Sequence, residues 1–148
     1  MKEKKSPVRL LRVALAALFA ELIPLIVLVA AVTVYGYLMP GLDKSDYETF
    51  AKQAAAYIGP VAGTLATLGF AFWAARKPES RRLLHGLLTG ILVVILDLAI
   101  FSTPKADFDL KDVLVLLAKL VAGALGGYLA QRRYQNQAIE NSAGHPII

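Results

Sequence analysis

The sequence predicts an all-α fold: an integral membrane four-helix bundle with both termini in the cytoplasm. Hydrophobic residues make up 57% of the 148 residues and charged residues only 18%, whereas a soluble domain has about 45–50% apolar and about 25% charged residues. Four apolar stretches are each long enough to span a bilayer, for which about 17–25 residues are needed. Basic residues concentrate in alternate connections, which indicates the orientation.

The first predicted helix covers about residues 13–38. Glu21 lies within it and Pro24 follows one turn later, where a proline removes a backbone hydrogen bond and bends the helix. This stretch is much longer than the apolar region of a signal peptide, which has about 7–15 residues. We therefore expect it to remain as a membrane helix.

The other predicted helices cover about residues 54–75, 83–101 and 113–130. The second has Pro60 in its first turn, where proline is tolerated. The third and fourth are short and contain one charge each, Asp97 and Lys119. These helices divide the chain into a basic N-terminal segment, one transmembrane domain and a polar tail. The segments cover residues 1–12, 13–130 and 131–148.

The distribution of charge predicts which side of the membrane each connection occupies. One side carries eleven basic residues: Lys2, Lys4, Lys5, Arg9, Arg12, Arg76, Lys77, Arg81, Arg82, Arg132 and Arg133. The other two connections carry four lysines and six acids. We expect the protein to lie in the inner (plasma) membrane of the cell. The positive-inside rule then places both termini in the cytoplasm. Topology accounts for the basic pI, so we expect no nucleic-acid partner and some affinity for anionic lipid at the cytoplasmic face.

The three charges inside the predicted helices are the candidate site. Glu21, Asp97 and Lys119 each lie on the small-residue stripe of their helix, the face through which membrane helices pack. At about 1.5 Å per residue, their depths from the cytoplasmic helix ends are roughly 12 Å, 21 Å and 16 Å. We therefore expect one buried cluster with an excess negative charge. Asp97 and Lys119 are expected to form a structural ion pair, while Glu21 is either structural or the site of proton or ion coupling.

Glycines at helical spacing predict where helices approach closely. The predicted packing positions are Gly59, Gly63, Gly86, Gly90, Gly123 and Gly127. These faces favour contacts within the bundle, in a homo-oligomer or in a larger membrane complex.

The chain lacks the features of several function classes. It contains no cysteine, which excludes disulfide scaffolds and thiolate metal sites. Two histidines alone do not make a metal site, and the sequence has no nucleophile–base set and no phosphate-binding glycine loop. We therefore expect no enzymatic activity, no metal and no cofactor.

Four short helices with a glutamate in the first resemble, in outline, the small multidrug resistance transporters. Ala20-Glu21-Leu22-Ile23 is similar to the stretch around that family's proton- and substrate-binding glutamate. The resemblance covers about ten residues and implies that role for Glu21. The chain departs from the family in its long connection between the first and second helices and in Asp97 and Lys119.

Two functions follow from these observations. The first is a structural, interaction or accessory membrane protein, in which the charges fix the helices. The alternative is a proton-coupled transporter of a small molecule or an ion that uses Glu21, for which four helices require at least a dimer.

Overall fold

The computed structural model describes residues 10–76, 81–101 and 109–143. These residues form four α-helices: α1 (Leu10–Leu38), α2 (Lys44–Ala75), α3 (Arg82–Phe101) and α4 (Leu110–Ala143). All four are long and apolar enough to cross a membrane. Within the described residues, the predictions of an all-α fold and of four helices of membrane-spanning length are confirmed. The basic residues expected at positions 2–9 and 77 and the connection at 102–108 lie outside the described residues.

Two helices extend ten or more residues beyond their predicted boundaries. Helix α2 begins at Lys44, and the early part of this helix folds back on the end of α1, where Tyr35 stacks on Phe50 with ring centroids 3.9 Å apart. The consequence is that Pro60 lies inside α2 and not in its first turn. Helix α4 likewise continues to Ala143, through a polar stretch that the sequence assigned to the tail.

The four helices form a bundle in which two pairs lie diagonally opposite each other. Helices α2 and α3 lie across the short diagonal, and α1 and α4 lie across the long diagonal. Helix α1 packs against α2 and α3, and α4 packs against the same two helices. Helices α2 and α3 touch across the short diagonal. Within the described residues, no Cα atom of α1 lies within 8 Å of a Cα atom of α4. A contact between α1 and α4 therefore depends on long side chains.

Small residues occupy the interior and large apolar residues face outward. Ala17, Ala20 and Val93 form the buried core, while most leucines and isoleucines of α1 are exposed. This arrangement is typical of a membrane protein, because lipid is as apolar as leucine and helices associate through small residues.

Glycines bring α3 and α4 into backbone contact. A Cβ atom at Gly86 would lie 2.5 Å from the Gly127 Cα atom, and one at Gly123 would lie 2.6 Å from the Gly90 Cα atom. Both separations are too short for a real Cβ contact. The four glycines therefore set the distance between these helices.

Arginines and aromatic rings meet at one end of the bundle. The guanidinium of Arg12 on α1 lies 4.3 Å from the ring centroid of Trp73 on α2, and that of Arg82 on α3 lies 3.5 Å from the ring centroid of Tyr134 on α4. We call this end, with Arg12, Arg76, Arg82 and Arg133, the basic end. The start of α1 thus lies at the same end as the later part of α4.

Candidate functional site

Lys119 binds two carboxylates inside the bundle. Its Nζ atom donates to Glu21 Oε1 at 2.9 Å and to the two Asp97 oxygens at 2.8 and 2.7 Å. The structure thus brings together the three charges that the sequence singled out, from α1, α3 and α4. An ammonium group has three N–H donors, and these three contacts match them.

The two carboxylates are not equivalent. The side chains of Asp97 and Lys119 are 4% and 5% exposed, whereas that of Glu21 is 15% exposed. Asp97 binds the ammonium through both of its oxygens, and Glu21 through one. Glu21 is therefore the more accessible and the less tightly held acid of the cluster.

Helix α2 contributes space to the cluster and no charge. A Cβ atom at Gly63 would lie 2.9 Å from Lys119 Cε, 3.2 Å from its Nζ atom and 3.9 Å from Pro24 Cγ. The absence of a side chain at Gly63 lets the lysine extend across the long diagonal to α1. The sequence had marked Gly63 only as a helix-packing position.

A cavity of about 440 Å³ extends from the cluster toward the end of the bundle opposite the basic end. Glu21, Asp97 and Lys119 lie at its inner part, while exposed residues of α2 and α4 line its outer part. The outer charged residues are Lys52, Asp109, Lys111 and Asp112. The cavity has the size of a small-molecule site, for which about 300–1,000 Å³ is typical.

Two prolines inside helices also line this cavity. Pro24 lies on α1 and Pro60 on α2, each within its helix. A proline in a helix leaves the carbonyl four residues earlier without its usual N–H donor. For Pro60 this carbonyl belongs to Ala56, which lines the same cavity. Both the proline and the residue whose carbonyl lacks this donor therefore border the cavity on α2.

The predicted glycines have different surroundings in the structure. Gly86, Gly90, Gly123 and Gly127 lie between α3 and α4. Gly59 meets no neighbouring atom within 4 Å of an added Cβ atom, and it lines the cavity.

Sequence reasoning missed the outer part of the cavity. Lys52 was assigned to a connection, and Pro60 to a helix start. The sequence allows the second helix to begin early, from about Tyr47, but the polar first turns of α2 carry no hydrophobic run that shows which of their residues face the bundle.

Buried polar side chains between the ion cluster and the basic end contact backbone carbonyls one turn earlier in the chain. The hydroxyls of Thr67 and Thr89 donate to the carbonyls of Gly63 and His85 at 2.7 and 2.9 Å. The His85 ring is fully buried, and its Nδ1 atom lies 2.9 Å from the Arg81 carbonyl oxygen. Each of these contacts satisfies a polar side-chain atom within four residues along the chain.

Comparison with known proteins identifies the family of this chain. A model of the family DUF3792, described as a protein of unknown function, matches residues 10–130. No curated protein and no solved structure matches the chain significantly. The family match spans α1 to α3 and most of α4, including Glu21, Asp97 and Lys119. The chain therefore belongs to the DUF3792 family.

Proposed function

We propose that this protein is a cation-coupled membrane transporter in which a proton or a monovalent cation exchanges at Glu21. The observation that carries the proposal is the cavity that joins the Glu21 carboxylate to exposed residues at one end of the bundle. An ionisable residue inside a membrane protein that lines a cavity is typical of ion and proton pathways. The same arrangement is unnecessary for a purely structural ion pair.

The charges of the cluster support this assignment. With all three groups ionised, two carboxylates and one ammonium leave one negative charge in a region of low dielectric. A proton or a monovalent cation at Glu21 would neutralise it. Asp97 keeps Lys119 in place through two contacts, so the exchange at Glu21 leaves a buried neutral pair behind.

The proposal includes an orientation and an assembly. We place the protein in the inner (plasma) membrane. By the positive-inside rule, its basic end then faces the cytoplasm and the cavity opens on the opposite side of the membrane. Access from the cytoplasm then requires a second opening past Arg12 and Trp73, which contact each other at that end. Since four helices offer little room for a complete pathway, we propose that the transporter is at least a dimer.

Proton flux into liposomes tests the proposal. The protein is reconstituted with a pH-sensitive dye inside the vesicles, and a pH step is applied outside, with sodium, potassium and small organic amines added in turn. We expect wild type to change the internal pH faster than empty vesicles, and Glu21→Gln to abolish the difference. Glu48→Gln is the matched control, because Glu48 is exposed and does not line the cavity. Its Oε1 atom lies 3.7 Å from the Nζ atom of Lys44. Flux that persists in Glu21→Gln would overturn the proposal.

The second candidate is a structural or accessory membrane protein. It is favoured by the match between the three Lys119 donors and three carboxylate oxygens, which joins α1, α3 and α4. In this case wild type conducts no protons or cations, and Glu21→Gln lowers the thermal unfolding temperature in lipid nanodiscs. Absence of flux together with a stable Glu21→Gln variant would contradict both candidates.

A further inference from the structure

A second concave site lies at the basic end, between the end of α2 and the later part of α4. It is a cleft of about 160 Å³. Its lining residues are Phe72, Arg76, Ala130, Arg133, Tyr134 and Gln137. The cleft is separate from the ion cluster, and its lining includes two guanidinium groups and, within the described residues, no carboxylate.

Aromatic rings hold parts of this cleft in place. The Arg76 guanidinium lies 5.6 Å from the ring centroid of Phe72, within the range of about 6 Å for a cation–π contact. The ring of Tyr134 is covered on one face by Arg82, which is 8% exposed and 3.5 Å from the ring centroid. Two of the polar side chains that line the cleft, Arg76 and Tyr134, are therefore held by cation–π contacts.

We infer that this cleft binds a phosphate group. Guanidinium groups bind phosphate oxygens through paired N–H donors, and Arg76 and Arg133 provide two of them. The Tyr134 hydroxyl and the Gln137 amide add neutral donors. The inference is independent of transport at Glu21, because no residue lines both the cleft and the cavity.

The position of the cleft connects this phosphate with the membrane surface. It lies where α2 ends, beside Trp73, and tryptophan is enriched at the level of lipid headgroups. The phosphate of an anionic phospholipid and free inorganic phosphate share the same recognition chemistry. The two sources therefore have to be separated by experiment.

Thermal unfolding of the full chain in neutral detergent provides the test. The protein is titrated with phosphatidylglycerol, with phosphatidylcholine and with inorganic phosphate, each at constant ionic strength. We expect saturable stabilisation of wild type by at least one phosphate source. Arg133→Gln and Arg76→Gln should weaken the apparent affinity roughly tenfold, the effect of losing one charge-assisted hydrogen bond.

Arg132→Gln is the matched control. Arg132 is the exposed neighbour of Arg133, and its loss changes the net charge equally, but it does not line the cleft. We expect its affinity to stay close to that of wild type. Stabilisation by phosphatidylglycerol alone identifies a lipid headgroup, and stabilisation by inorganic phosphate identifies a free ligand.

Two results would overturn the inference. One is equal weakening by Arg132→Gln and Arg133→Gln, which would mean diffuse attraction between the basic end and anions. The other is the absence of saturable stabilisation by all three additives. Unfolding midpoints measured without additive show whether each variant is folded. The Arg133→Lys variant keeps the charge but loses the paired donors, so it should bind the phosphate source with intermediate affinity.

Discussion

The Lys119 side chain passes through the space that a side chain at Gly63 would occupy. The Lys119 Cε atom lies only 2.9 Å from the position of a Cβ atom at residue 63. The ammonium position is therefore controlled by α2, although α2 contributes no charge to the cluster. Since Lys119 is bound to Glu21 and Asp97 at once, it cannot yield without lengthening at least one of these contacts.

Gly63→Ala should destabilise the protein, because the added methyl group would displace Lys119 from its carboxylates. Overpacking of this kind costs about 1–3 kcal/mol of unfolding free energy. Gly59→Ala, one turn earlier, meets open space and should raise stability by about 0.5–1 kcal/mol through helix propensity. Thermal unfolding in lipid nanodiscs measures both variants. Equal effects at the two positions would contradict the steric explanation.

Lys119→Met should be among the most damaging substitutions, because it leaves Glu21 and Asp97 buried without their cation. Removal of one partner from a buried ion pair costs about 3–5 kcal/mol. Adding Asp97→Asn to Lys119→Met should recover about 1–3 kcal/mol, since a buried charge is then removed. Lys44→Met, on an exposed lysine, serves as the control and should leave the unfolding temperature unchanged. If Asp97→Asn recovers no stability in the Lys119→Met background, the stability lost in Lys119→Met does not have an electrostatic origin.

Neutralising the two acids should have unequal effects. Asp97→Asn removes the carboxylate that holds Lys119 through two oxygens and should cost about 1.5–3 kcal/mol. Glu21→Gln leaves the Asp97–Lys119 pair intact and balanced, so we expect a change within about 1 kcal/mol. Chemical unfolding of both variants in the same detergent gives the comparison. A larger loss for Glu21→Gln would make Glu21 the principal partner of Lys119.

Gly86→Ala should separate α3 from α4, because the new Cβ atom would lie 2.5 Å from backbone atoms of Gly127. Backbone cannot move aside as a flexible side chain can, so we expect a loss of several kcal/mol, at the upper end of or beyond the usual range of about 1–3 kcal/mol for overpacking. Gly69→Ala, on α2, meets nothing within 4 Å and should be tolerated. Disulfide crosslinking between cysteines placed on α3 and α4 would report the separation directly. Unchanged crosslinking in Gly86→Ala would contradict the prediction.

The number of helices could be predicted from the sequence because hydropathy alone determines which segments can enter a membrane. The start of α2 and the end of α4 could not. Residues 44–53 are mostly polar, and they pack on α1 through contacts such as the stacking of Phe50 on Tyr35. Such contacts depend on how the end of α1 meets α2, which no local pattern encodes.

The three charges of the site could be predicted for a similar reason. A charge in lipid is costly, so Glu21, Asp97 and Lys119 had to face inward and meet at similar depth. The role of each glycine could not be predicted from the sequence in the same way. Gly59 and Gly63 are one turn apart on nearly the same face of α2, and the depth at which Lys119 crosses the bundle decides that one meets Lys119 while the other lines the cavity.

The separation of Glu21 and Lys119 along the chain has a consequence for biogenesis. The two residues are 98 positions apart, and the chain is made from its N-terminus. Helix α1 therefore leaves the ribosome with Glu21 before the lysine on α4 has been synthesised. Until α4 inserts, the carboxylates of Glu21 and Asp97 lack the Lys119 ammonium as their counterion. A chain that stops short of Lys119 therefore keeps two unpaired acids in its membrane helices, which distinguishes it from the complete bundle.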